Sequence, residues 1–363
     1  MKIAQVAPLY ESVPPKLYGG TERVIFNLTE ELVAQGHDVT LFASGDSTTS
    51  ARLVAPCKRA LWRDPENRDK LAYHYVMLDQ VRRTAHKFDV VHFHVDYLHF
   101  PFSCASEVPH VTTLHGRLDM PELVPLYRQF PHNPLVSISL SQRDPLHWAA
   151  WVGNVYHGVP AANLSLGRGD RGYLAFLGRV SPEKRVDRAI QIAVESGMPL
   201  KIAARVDPVD REYFESKIRP LLARPRIEFI GEIGDDQKSK FLGDAYAHIF
   251  PIDWPEPFGL VMIEAMACGT PTIGYRCGSV PEVLKHGVTG FIVDSVEAAV
   301  ASVPKVAALD RRDCRRDFER RFTSCRMAED YVQLYESMLS EQRRPMHLES
   351  PASESYSTGA ASP

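Results

Sequence analysis

Short apolar runs alternate with stretches of helical period along most of the chain. Residues 3–7, 39–43, 89–93, 110–114 and 135–139 read as strands, each five residues long and mostly apolar. Between the first two, Val24, Ile25, Leu28, Leu32 and Val33 form a helical stripe over residues 21–35, and Gly36 stands where a C-terminal cap belongs. A long helix precedes Asp89. The pattern loosens over residues 153–172, where Gly153, Gly158, Pro160, Gly167, Gly169 and Gly172 mark a linker. The alternation then restarts, with strands at 173–177, 200–204, 227–230, 248–251, 272–275 and 290–293 and helices at 186–196, 209–222 and 258–268. Near the end, Tyr331, Leu334, Tyr335 and Met338 make one more helical stripe.

Strand–helix alternation of this kind predicts parallel sheets covered by helices. With 363 residues the chain exceeds the size at which one core stops growing. The economical reading is an α/β protein of two doubly wound domains facing across a cleft: residues 1–158, then 172–325, with the helix at 328–341 added to the first and a disordered tail at 342–363. Ligands in such sheets bind at the carboxyl ends of the strands.

Composition narrows the function classes. The chain is 44% apolar and 24% charged with net charge −3, which points away from nucleic-acid binding. No apolar run reaches the ~20 residues of a spanning helix, and residues 1–8 are too short and interrupted for a signal-peptide core. The expectation is a cytoplasmic protein, with peripheral contact at the inner face of a membrane left open. The six cysteines have no metal-like spacing and read as reduced packing residues.

Four segments carry candidate chemistry. Residues 254–269 run from a strand end through the proline-braced Trp254-Pro255-Glu256-Pro257 turn into a helix starting near Phe258. The first amides of that helix, at Phe258, Gly259 and Leu260, offer an anion site suited to a diphosphate. Glu256 and Glu264 flank it and suit sugar hydroxyls; the same spacing also fits a helix-capping Glu256 and a solvated Glu264. Residues 176–186 form a strand, a glycine turn and a helix start, placing Arg179 and Lys184 where a diphosphate needs positive charge, although a solvated basic loop fits equally. Gly19 and Gly20 open the first helix and allow close approach to a ligand. His115 follows a strand directly.

Taken together these segments resemble family 4 of the retaining glycosyltransferases, which have the GT-B fold. The resemblance rests on Gly19-Gly20 with Glu22-Arg23, residues 113–116, Tyr156-His157-Gly158-Val159, Gly178-Arg179 with Lys184, Glu256-x7-Glu264, and Gly278-Ser279-Val280-Pro281-Glu282 with Gly287-Val288-Thr289-Gly290. It implies an enzyme that transfers a sugar from a UDP- or GDP-sugar to a sugar, lipid-linked or small-molecule acceptor, by a metal-independent same-face mechanism and without a cofactor. Arg179 and Lys184 would neutralise the diphosphate, and the amides of Phe258, Gly259 and Leu260 would contact phosphate and sugar. Glu256 would hold donor-sugar hydroxyls and Glu264 the ribose. Gly20 would border the phosphate, His115 would sit beside the reacting sugar, and the base would lie against Gly231, Glu232 and Ile233. The resemblance also implies that the C-terminal helix crosses back onto the first domain. Where the family often has glycines, this chain has Ala203-Ala204-Arg205, so Arg205 is a further donor-contact candidate. An epimerase, a phosphorylase or a non-catalytic sugar-nucleotide binder on the same fold is the alternative.

Overall fold

The computed structural model describes residues 1–17, 19–104, 106–170 and 172–343. The first sheet contains β1 (Lys2–Val6), β2 (Asp38–Phe42), β3 (Arg52–Val54), β4 (Val90–Phe93), β5 (His110–Thr113), β6 (Leu135–Ser137) and β7 (Trp151–Asn154) in the order β3-β2-β1-β4-β5-β6-β7. The second contains β8 (Leu174–Val180), β9 (Leu200–Val206), β10 (Ile227–Gly231), β11 (Ala247–Phe250), β12 (Thr272–Tyr275) and β13 (Gly290–Val293) in the order β10-β9-β8-β11-β12-β13. Strand pairs in both are parallel. Both faces of each sheet are covered, which is why the central strands are apolar along their length rather than alternating: Ile3, Ala4 and Val6 of β1 are completely buried, as are Leu174 and Ala175 of β8. The strand order reverses between β1 and β4 in one sheet and between β8 and β11 in the other, and each reversal opens a crevice at the strands' carboxyl ends.

The helix Ser324–Arg343 returns to the first sheet. Its Met327, Ala328, Tyr331 and Tyr335 are buried against Ile3, Val24, Leu28 and Val90. Two buried phenols anchor it: Tyr331 Oη lies 2.8 Å from Thr113 Oγ1, and Tyr335 Oη 2.7 Å from His92 Nδ1. The helix runs through Arg343, so a tail beginning at 342 is corrected at its first two residues; the rest of that tail, 344–363, lies outside the described residues.

Other expectations need correction. Residues 153–172 are not a free linker. Gly153 and Asn154 belong to β7, the edge strand, whose half-buried residues gave no apolar run to read. Leu164 is buried in the second domain's core, and the Gly167 amide donates to the Cys268 carbonyl at 3.0 Å. A Cβ at Gly167 would stand 2.1 Å from the Gly243 carbonyl oxygen, so this glycine serves close packing rather than flexibility. The chain passes between domains at Gly158–Val159 and again at Phe322–Ser324, and the two passages lie side by side: Val159 N donates to Phe322 O at 3.0 Å, and Ser324 N to Val159 O at 3.1 Å. The single helix expected over 209–222 is instead a succession of short turns, with a π-helical stretch at Phe214–Ile218 and a 3₁₀ stretch at Arg219–Ala223. Pro220 explains this, because it has no amide hydrogen to continue the ladder.

Candidate active site

The crevices of the two sheets face each other and form one cleft of about 730 Å³. Its wall in the second domain is built from the segments that follow β8 and β11. After β11 the chain turns through Pro251–Pro257 and enters the helix Leu260–Ala267, with Gly259 at φ 80° as the capping residue. A left-handed conformation at that point favours glycine. The helix therefore starts two residues later than expected at Phe258, and its leading amides belong to Leu260 and Val261. No side chain caps it, so Glu256 is not a helix cap.

Glu256 instead forms an ion pair with Lys184 and accepts from Trp254 Nε1 at 2.9 Å. Lys184 reaches it from the turn after β8, where Arg185 at φ 53° redirects the chain into the helix Val186–Ser196. Its ammonium also lies 5.1 Å from the Trp254 ring centre and 5.8 Å from that of Phe250. Both charged side chains line the cleft with little exposure, 15% for Lys184 and 12% for Glu256. Glu264 is buried rather than solvated and holds Lys238 Nζ at 2.9 Å. Lys238 is also 3.0 Å from Asp235, which pairs with Arg23 of the first domain.

Arg179 is surrounded by acids: Glu183 at 2.9 Å, Asp207 at 3.6 Å and Asp210 at 4.0 Å. Arg205 joins the same group through Asp207. The basic strand end legible in the sequence is thus part of an ion-pair network, with Glu183 supplied by the turn after β8 and Asp207 and Asp210 by the turn after β9.

The first domain contributes Gly19, Gly20, Glu22, Arg23 and His115 to the opposite wall. Burial pushes the Glu22 carboxyl up to about 7, with Glu11 nearby adding to the rise. His115 belongs to a stack of histidines that the sequence left unconnected. Its Nε2 lies 2.9 Å from His94 Nδ1, and His94 Nε2 lies 2.7 Å from Gln5 Oε1. With Gln5 accepting, His94 carries its proton on Nε2, and His115 donates from Nε2 to His94 Nδ1. Burial lowers His115 to about 3, so it is a neutral imidazole with an unpartnered Nδ1 lone pair. The His157 ring stacks on it at 5.2 Å, and burial likewise holds His157 and His94 well below the usual histidine range.

Of the expected site residues, the cleft brings together Gly19, Gly20, His115, Arg179, Lys184, Arg205, Glu232, Ile233, Glu256, Phe258, Gly259, Leu260 and Glu264. Gly231 is the exception: it ends β10 at φ 78°, and the wall begins at the next residue. Lys238 was missed because Asp235–Gly243 reads as an ordinary polar surface helix. Glu282 was noted only as part of a motif. Its carboxylate crosses to the first domain and accepts from the Leu140 and Ser141 amides, each at 2.7 Å, and from Tyr156 Oη at 3.0 Å.

Two family models match in tandem: Glycosyltransferase Family 4 over residues 18–152 and Glycosyl transferases group 1 over residues 165–321. The chain is 25% identical to an uncharacterized glycosyltransferase of Methanocaldococcus jannaschii, covering 81% of this chain and 85% of that protein. It is 26% identical to glycogen synthase of Mycobacterium tuberculosis, over 95% and 97% of the two chains. Among solved structures, Anabaena HepE in complex with UDP and glucose superposes with a TM-score of 0.71 at 17% identity, covering 93% of this chain and all of that one.

Proposed function

The chain is a family 4-type glycosyltransferase of GT-B fold, and from that premise we propose that it is a retaining enzyme whose donor is a UDP- or GDP-sugar. The observation that carries the reading is the asymmetry of the cleft. Arg179, Lys184, Arg205 and Lys238 all come from the second domain and line the cleft together with Leu260 and Val261, which open the Leu260–Ala267 helix. Such a wall suits a diphosphate, which gains from both the cations and the helix's free amides. HepE, which shares the fold, holds UDP and glucose in its crystal.

In this reading the diphosphate enters against Arg179, Lys184 and the Leu260 and Val261 amides, and the ribose hydroxyls donate to Glu264. The base lies along Glu232 and Ile233. The acceptor hydroxyl attacks the anomeric carbon from the face the diphosphate leaves. As the bond from that carbon to the phosphate oxygen breaks, the departing phosphate oxygen takes the hydroxyl proton. The protein positions both partners and stabilises charge growing on the leaving group. Side-chain cations meet that charge, so turnover is metal-independent. His115, neutral and beside the reaction centre, accepts a hydrogen bond from the donor sugar through Nδ1 and adds no charge there. The test is direct. Calorimetry with UDP and GDP identifies the donor base, and NMR of the product reports its anomeric configuration. Donor turnover should persist in EDTA. An inverted anomer, or activity abolished by EDTA and restored by magnesium, would overturn the mechanism.

A further inference from the structure

The first-domain half of the cleft has a chemistry of its own. Trp62, 59% exposed, lies stacked on Tyr10 with ring centres 5.2 Å apart and planes 23° from parallel. The pair is held in place rather than left on a loose loop: Leu61 N donates to Leu9 O at 2.9 Å and Trp62 N to Tyr10 O at 3.1 Å. Tyr97 and Leu71, both exposed, extend the apolar surface within the same cleft. Beside them is Asp96, at φ 49° in the turn after β4, in a conformation uncommon for any residue other than glycine. Among the described residues its carboxylate has no ion pair and no side-chain hydrogen bond, yet it lines the cleft.

Positive charge is scarce on this side. Among the described residues, Arg23 is the one arginine or lysine of the first domain that lines the cleft, and it is tied to Asp235. His74 is locked as the neutral tautomer, accepting at Nε2 from Leu9 N (3.0 Å) and donating from Nδ1 to Lys70 O (2.8 Å). Glu22 is a further acid in the wall. A phosphorylated or carboxylated acceptor on this side would therefore meet acids, with Arg23, already paired, as the first-domain cation among the described lining residues. An exposed indole backed by a phenol, with a carboxylate lining the same cleft that has no ion pair among the described residues, matches a pyranose: an apolar C–H face for the ring and hydroxyls for the acid.

We propose that the acceptor is a neutral saccharide, stacked on the open face of Trp62, which Tyr10 backs, and hydrogen-bonded through a hydroxyl to Asp96. The proposal rests on the glycosyltransferase reading of the cleft and adds the acceptor's class. Saturation-transfer NMR in the presence of UDP tests it, with methyl α-glucopyranoside, methyl α-mannopyranoside and maltose against glucose 6-phosphate and glucuronate. The neutral sugars should receive saturation at their ring C–H protons. Trp62→Ala should weaken them about tenfold, as expected for losing the apolar contact of one sugar face, while Trp62→Phe keeps most of the binding. Asp96→Asn should weaken neutral sugars severalfold and narrow the gap to glucose 6-phosphate. UDP affinity, measured by calorimetry, should be the same in all three variants, which also shows that they are folded. Preferential binding of glucose 6-phosphate, no binding of any neutral sugar to the UDP-loaded protein, or neutral-sugar binding indifferent to Trp62→Ala would overturn it. Failure of the wild-type protein to bind any nucleoside diphosphate would instead sink the donor reading.

Discussion

Lys184→Met separates the two jobs assigned to one ammonium. Lys184 neutralises Glu256 and lines the cleft; in the proposed donor complex it also faces the diphosphate. Removing one partner of a buried pair costs about 3–5 kcal/mol, mostly from the stranded charge. The cleft still hydrates Glu256 slightly and Trp254 Nε1 still donates to it, so the lower end, about 3 kcal/mol, is expected. At about 2–4 °C per kcal/mol for a domain of this size, Tm should fall by about 6–12 °C. Turnover loses a leaving-group contact as well, so kcat/KM should drop about 10²- to 10³-fold. The decisive variant adds Glu256→Gln in the same chain. The stranded charge is then gone and Tm should return to within a few degrees of wild type, while kcat/KM should lie well below that of Glu256→Gln alone, the reference that already lacks the contact expected between Glu256 and the donor sugar. Differential scanning fluorimetry and steady-state release of nucleoside diphosphate read the two quantities separately. If the double variant regained activity along with stability, Lys184 would be only a structural counter-ion to Glu256. A single variant with wild-type kcat/KM would remove Lys184 from the site altogether.

Three further outcomes are expected. Glu264→Gln should weaken nucleoside diphosphate binding about tenfold with a smaller change in kcat, because the lost contact is a charge-assisted hydrogen bond to ribose; calorimetry with UDP checks it, and unchanged affinity refutes the assignment. His92, His94, His99, His115, His157 and His248 are all held below the ordinary histidine range by burial, so the unfolded chain binds more protons than the folded one as pH drops below about 6.5. Each contributes a stability loss of about 1.4 kcal/mol per pH unit there, outweighing the opposite slope from Glu22 and Asp96, whose raised values add stability as pH falls through them; a Tm that is flat or rising from pH 6.5 to 5 would contradict this. Glu282→Ala removes the acceptor for the Leu140 and Ser141 amides and should loosen the approach of the two domains, giving a larger radius of gyration by small-angle scattering that UDP partly reverses; identical scattering curves for variant and wild type would argue that the hinge passages alone set the domain angle.

The linear pattern was sufficient for the architecture, because parallel strands buried on both faces leave continuous apolar runs between amphipathic helices, and nearly every interior strand shows that signal. It was also sufficient for most of the second domain's wall of the cleft. Arg179 lies at the end of a strand, Lys184 and Glu256 follow strand ends, and Gly259 and Glu264 belong to the cap and body of the helix after β11; position along the chain sets position at a sheet's carboxyl edge. Edge strand β7 and the turns broken by Pro220 escaped, since half-exposed strands and irregular helices lack a clean period. What only the tertiary structure decided is pairing across distance. Lys184 with Glu256, Arg179 with Asp207 and Asp210, Glu282 with the Leu140 and Ser141 amides, and the His94–His115 contact join residues that no local spacing relates. The same holds for Trp62 on Tyr10: each is an unremarkable aromatic in its own segment, and only the return of the chain beside β1 makes them one surface. Local propensity and period act over a turn or a strand, whereas a site's electrostatics depends on which charges the fold brings within a few ångströms, and that is fixed by the packing of whole sheets.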